Sequence, residues 1–243
     1  MKTILYIHGM GGGEDSRIPA FLNDWFGENQ PDIRVVVRTY DFHPERAAAQ
    51  IDAWYAELQP DLVIGESLGS VHALALYGRL NPGHQTAAAP LLLVSPALNA
   101  PKFLFALRNL AHIPAARKLL QRIYKPREGR RQALDFAPET LGAWGAYRLS
   151  RRPLKQGNPG LGGAFPEGSL SRLLRSQGHP ALTPAPVYAF FGCRDHYRRS
   201  GVVSLKQWRR TFGPGTYALY DGTHFMEETY LRELLIPAIR ERI

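Results

Sequence analysis

Six short apolar runs, each closed off by strand-breaking residues, recur along the chain with helical patterns between them. They are Thr3–Ile7, Ile33–Val37, Leu62–Ile64, Leu91–Val94, Val187–Phe191 and Tyr217–Tyr220. Such runs, bounded by Gly, Pro and Asp, read as strands buried on both faces. Between them, Ile51, Trp54, Tyr55 and Leu58 fall on one helical face. Val71, Leu74, Ala75 and Tyr77 make a second such face, and Val202, Leu205 and Trp208 a third. A shorter helix is expected over Ile18 to Phe26. A C-terminal helix is expected from Leu231, Leu234, Leu235 and Ile239, bent at Pro237. Strands that alternate with helices predict an α/β fold, a mostly parallel central sheet with helices on both faces. Sites in such sheets lie at the carboxyl ends of the strands.

About ninety residues separate the fourth run from the fifth, too many for a plain loop. The charge is sorted in the same way. Leu98–Pro180 holds 15 Lys and Arg against 4 Asp and Glu, a net of +11; the rest of the chain holds 15 against 17, a net of −2. The chain therefore divides into a core, residues 1–97 and 181–243, and a basic, mainly helical, lid-like insertion, residues 98–180. Helices are expected there over Leu104–Leu110, Ala115–Ile123, Pro138–Leu149 and Ser169–Ser176. The densest basic cluster is Arg117, Lys118, Arg122, Lys125, Arg127, Arg130 and Arg131. The insertion leaves from the carboxyl end of the fourth strand, so it is expected to cover or flank a site there, with part of its arginine surface facing the entrance. With 44% hydrophobic and 21% charged residues, the 243-residue chain is globular with a real core. No run approaches the ~18 apolar residues of a membrane span. The N-terminus reads as a first strand rather than a signal peptide. A single cysteine, Cys193, leaves no disulfide framework and no Cys-rich zinc site, and the expected compartment is the cytoplasm.

The third strand runs into Gly65-Glu66-Ser67-Leu68-Gly69, and a helical pattern follows. This is the context of a nucleophile elbow, in which a serine sits exposed on a sharp strand-to-helix turn. Gly65 and Gly69 remove the Cβ atoms that would crowd that turn. An inert N-cap serine would look the same over five residues, so the flanking strand and helix carry the reading. His8-Gly9-Met10-Gly11 directly follows the first strand. Acyl transfer needs two backbone N–H groups aimed at an oxyanion, and Met10 and Leu68 are placed to supply them. Gly9 lets that backbone come close. No Lys-Ser/Thr ending and no Gly-x-Gly-x-x-Gly pattern makes this a phosphate loop.

A general base is expected after the last strand, where Asp221-Gly222-Thr223-His224 supplies His224. The acid that orients it is expected after the fifth strand, where Asp195 stands. Asp221 is the rival acid. His8 is read as holding the oxyanion loop by a hydrogen bond, His72 as a helix-surface or packing residue, and Cys193 as a buried structural thiol. His196 has no obvious acid partner, and Glu66 is given no chemical role. His43, His84, His112 and His179 lie scattered in turns without metal spacing, and no His-Glu-x-x-His is present. Neither a metal nor a cofactor is expected.

Four motifs, HGMGG, GESLG, FGCRD and DGTHF, taken in this order, resemble the α/β-hydrolase superfamily. The short core, with its elbow near residue 67, looks like the small bacterial serine esterases within it. The resemblance spans residues 4–225 and leaves Leu98–Pro180 outside. It implies Ser67 as nucleophile, Asp195 as acid, His224 as base, and Met10 and Leu68 as oxyanion donors. The expected function is hydrolysis of a small carboxylic ester or thioester, one bearing negative charge if the basic insertion steers it. The alternative is a non-catalytic or lyase variant whose insertion binds an anionic ligand or acidic partner. Few aromatics interleave with the arginines, so nucleic acid is not expected. Nothing in the sequence specifies an oligomeric state.

Overall fold

The computed structural model describes residues 1–80, 88–124, 129–147 and 186–243. Its centre is a six-stranded sheet of β1 (Lys2–Ile7), β2 (Ile33–Val37), β3 (Leu62–Glu66), β4 (Leu91–Val94), β5 (Val187–Gly192) and β6 (Tyr217–Tyr220). The order is β2-β1-β3-β4-β5-β6, and every pair is parallel. The sheet is thus wholly parallel among the described residues, where the sequence predicts a mostly parallel one. β3 and β4 bury nearly every side chain, as strands covered on both faces must.

One face packs on α1 (Arg17–Asn29) through Ile18, Leu22 and Phe26, and on the C-terminal segment through Leu231, Leu234, Leu235 and Ile239. That segment is a short α10 (Glu228–Tyr230), a π-helical turn over Leu231–Leu235, and α11 (Ile236–Arg240). The distortion expected at Pro237 takes the form of this π turn just before it, since proline lacks the N–H that would continue the α-helical ladder. The other face carries α2 (Pro44–Leu58), α3 (Gly69–Leu80) and α9 (Leu205–Phe212), with Ile51, Leu74 and Trp208 in its core. α9 starts later than its apolar period suggests. Ser204 caps it by accepting the Gln207 N–H at 3.2 Å, which leaves Val202 in the preceding turn.

After β4 come α4 (Ala100–Ala106), α5 (Arg108–Ala111), α6 (Pro114–Ile123) and α7 (Pro138–Ala146). The helix expected over Leu104–Leu110 is in fact two, starting at Ala100 and broken at Leu107. These helices form a third core of Leu104, Leu120, Phe136, Leu141 and Trp144, closed against Phe42, Leu68 and Val71. The segment after Pro96 therefore packs directly over the residue that follows Ser67. The helix predicted to reach Leu149 ends at Ala146, with Tyr147 already out of helical geometry. The helix expected at Ser169–Ser176 lies outside the described residues, as do His84, Lys125, Arg127 and His179. A short α8 (Tyr197–Ser200) follows β5. Among the described residues no helix is long and apolar enough to cross a membrane.

Candidate active site

Ser67 stands between the last residue of β3 and the first of α3, with φ +49°, the left-handed region that L-residues rarely adopt. The strain is held by the backbone. The Ser67 N–H donates to Val94 O at 2.9 Å, and Ser67 O accepts from Ser70 N at 3.1 Å and Ala97 N at 3.2 Å. Gly69 is indispensable here, because a Cβ on it would lie 2.1 Å from Ile7 O. The close approach that excludes the side chain also presses the elbow onto the end of β1. β1 and β3 are neighbours with Ile7 opposite Gly65, so the loop after β1 arrives beside Ser67. A Cβ on Gly9 would lie 3.3 Å from Ser67 Cβ.

The loops after β5 and β6 meet in the same way. Cys193 N donates to Tyr220 O at 2.8 Å and Arg194 N to Gly222 O at 2.9 Å. This pairing sets Asp195 and His224 side by side, both almost wholly buried. His224 Nδ1 is 2.7 Å from Asp195 Oδ2, and its Nε2 is 2.9 Å from Ser67 Oγ. The second carboxylate oxygen of Asp195 accepts the Tyr197 N–H at 2.8 Å, which fixes its rotamer. Because Asp195 accepts from Nδ1–H, the His224 tautomer leaves an Nε2 lone pair facing the serine hydroxyl. Such an arrangement can withdraw a proton from Ser67 as its oxygen attacks an electrophile.

The rival acid lies elsewhere. Asp221 is exposed and ion-paired to Arg194 at 3.1 Å. Cys193 is exposed, not buried. It occupies the turn that carries the chain from β5 to Asp195, where its backbone is paired and its side chain faces out. His72 is buried within α3 rather than on its surface. His196 lines the cavity and tilts against Tyr197, with ring centroids 4.0 Å apart. Among the described residues no group of His, Cys, Asp and Glu could hold a metal ion.

His8 donates from Nδ1 to Gly9 O at 2.7 Å, and Gly12 N donates to the same oxygen at 3.0 Å. Together these close the loop that presents Met10. Among the described residues neither the Met10 nor the Leu68 backbone N–H donates to a protein acceptor. Three supports of this loop and of the neighbouring Ser67 turn carry no sequence signal. Gln132, buried, accepts the Gly11 N–H at 3.0 Å and donates to Tyr40 O at 3.2 Å. Gly13 forms an isolated bridge with Arg131, and a Cβ there would meet Arg130 O at 1.9 Å. Tyr6 donates to Glu66 at 2.7 Å, tethering the residue before Ser67. The basic residues of this part of the insertion are partly neutralised by the same loop: Arg130 pairs with Glu14 at 2.9 Å and Arg131 with Asp15 at 3.1 Å.

A cavity of about 1010 Å³ opens over Ser67. Met10, Leu68 and His224 border its floor, and Phe103, Leu104, Leu107, Leu134 and Phe136 from the insertion form an apolar wall. Arg17, Glu66 and Arg131 give it a polar side.

Behind the loop that follows β1 two histidines are held neutral. Burial lowers His8 to about 4, against the raising effect of the Gly9 carbonyl and with further lowering by Arg131. Burial lowers His72 to about 3, helped by the charge of Arg79. His8 stacks on Tyr40 at 4.3 Å, and His72 Nδ1 lies 3.0 Å from the Tyr147 hydroxyl. Both folded values lie below the ordinary 6.5. Below pH 6.5 the unfolded chain therefore binds protons that the folded chain refuses. The stability these groups give is complete above about 6.5 and is lost as pH falls toward 4 and 3, by up to about 1.4 kcal/mol per pH unit for each histidine. His72→Phe should flatten the fall of Tm between pH 6.5 and 4. An unchanged slope would contradict a neutral buried His72.

No model of a known protein family matches the chain. Solved structures do resemble it. The monoacylglycerol lipase of Paleococcus ferrophilus superposes with a TM-score of 0.55 at 15% identity, over 98% of this chain and 93% of that one. Est1E from Butyrivibrio proteoclasticus, solved with ferulic acid bound, gives 0.56 at 12% identity, over 99% and 88%. A variant of the meta-cleavage product hydrolase CumD gives 0.53 at 15%, over 100% and 92%. These likenesses span nearly the whole of this chain, whose parallel sheet carries helices on both faces and a helical insertion after β4. The chain has the α/β-hydrolase fold.

Proposed function

We propose that this protein is a serine-dependent hydrolase of carboxylic esters or thioesters that works through an acyl-enzyme. The observation that carries this reading is the unbroken pair of hydrogen bonds from Ser67 Oγ through His224 to Asp195, 2.9 and 2.7 Å long, at the base of the cavity. In the first half-reaction Ser67 Oγ bonds to the carbonyl carbon while His224 Nε2 takes its proton. The negative charge on the carbonyl oxygen is met by the N–H groups of Met10 and Leu68; one such donor is typically worth about 3 kcal/mol in the transition state. Collapse breaks the bond to the leaving alcohol or thiol, which takes the proton from His224. Water then repeats the attack with His224 as base and releases the acid. Asp195 stays ionised throughout, orienting the imidazole and offsetting its positive charge.

The apolar wall fits the acyl or aryl part of the substrate, in keeping with neighbours named for monoacylglycerol and for bound ferulic acid. We assign residues 1–97 and 181–243 to the catalytic core and residues 98–180 to a lid-like insertion, and the cytoplasm as the working compartment. The test is hydrolysis of nitrophenyl esters of rising acyl length. Turnover is expected to improve with acyl length as the wall is filled, by about 1–3 kcal/mol of transition-state binding per well-placed group. Absence of turnover across the whole series would overturn the assignment.

A further inference from the structure

Among the described residues nine large hydrophobic side chains are exposed, and seven of them lie between Phe103 and Tyr124. Leu119 is 57% and Ile123 63% accessible, and they stand one turn apart on α6, so they share one face. Lys118 and Arg122 stand one turn apart on the adjoining face, and Leu120 points into the core. From Pro101 to Tyr124 the chain has five Lys and Arg and no Asp or Glu. Lys102, Lys118 and Arg122 have no ion pair among the described residues. The face is also continuous with the cavity: Phe103, Ile123, Tyr124 and Phe225 are both exposed and part of the cavity lining.

An exposed apolar patch of this extent marks an interaction surface. We propose that the face formed by α4, α5 and α6 seats the protein on an anionic phospholipid bilayer, with the cavity mouth turned toward the lipid. Apolar side chains flanked by Lys and Arg are the pattern of a helix that lies in the headgroup layer, apolar face down and cations at the phosphates. Charge selects this occupant over the nearer ones. A second copy would bring the same cations against these. Residues 148–185 carry six Lys and Arg and one Glu, so they too are of like sign. A fluid bilayer accepts these side chains without shape complementarity and supplies the negative charge.

The test is flotation of the full chain with vesicles of phosphatidylcholine alone and of phosphatidylcholine with about 30% phosphatidylglycerol, an anionic content high enough for a clear surface potential. Binding is expected only with the anionic vesicles, weakened at least about tenfold when salt rises from about 0.05 to about 0.5 M. Leu119→Asp with Ile113→Asp should abolish it while leaving Tm and soluble-ester turnover unchanged, because both side chains are exposed and neither lines the cavity. Ser67→Ala should bind vesicles as the wild type does, which separates this surface from the catalytic reading. Failure to bind anionic vesicles would overturn the proposal, as would binding that the double substitution does not touch. A lipid-free dimer dispersed by the same substitutions, with no vesicle binding, would assign the face to a second copy instead.

Discussion

Ser67→Ala is expected to lower ester turnover by about 10⁴-fold or more, because removing the nucleophile leaves only binding and oxyanion stabilisation. Its effect on stability should be small. Among the described residues the Ser67 side chain has one hydrogen-bonded partner, His224 Nε2, and fills no core. Ser67→Gly makes a sharper companion. It is equally inactive, but it relieves a left-handed backbone at φ +49°, a conformation that costs a non-glycine residue on the order of 1 kcal/mol. The glycine variant should therefore melt at or above the wild-type temperature while losing activity. Stability given up for a poised nucleophile is the trade expected at a functional elbow. A glycine variant that melted several degrees lower would mean that Ser67 serves the fold and not the chemistry.

Asp195→Asn should cost about 10⁴-fold in kcat with the fold preserved. The asparagine can still accept the Tyr197 N–H, but it no longer holds the His224 tautomer or offsets the imidazolium charge. Asp221→Asn should change kcat less than about threefold, since that carboxylate is exposed and bound to Arg194 in a surface pair of little energetic weight. A reversal of these two results would move the orienting acid to Asp221 and refute the hydrogen-bond chain as the working unit.

What the sequence makes legible follows from local physics. β3 and β4 read as strands because they are apolar on both faces, and Gly65 and Gly69 mark a turn that no larger residue could make. Chain order then places Asp195 and His224 at the ends of successive strands. Less legible is everything fixed by contacts between distant segments. Gln132 supports the loop after β1 across 121 residues to Gly11 and has no local pattern to announce it. The pairing of Arg130 and Arg131 with Glu14 and Asp15 is equally long-range, and it reduces the free charge that composition assigns to the insertion. Cys193 reads as buried because it follows an apolar strand, yet the turn that delivers Asp195 rotates its side chain to solvent. The break at Leu107 depends on how α4 and α5 each meet α7, a tertiary preference that overrides helical periodicity.

A serine activated by His224 and Asp195 as proposed is a covalent nucleophile. The most direct measurement is reaction with a fluorophosphonate followed by peptide mass mapping. One phosphonyl group per chain is expected, carried by Ser67, with the labelling rate falling by orders of magnitude in His224→Gln. A chain that stays unlabelled, or one whose adduct maps to any residue other than Ser67, would contradict the account.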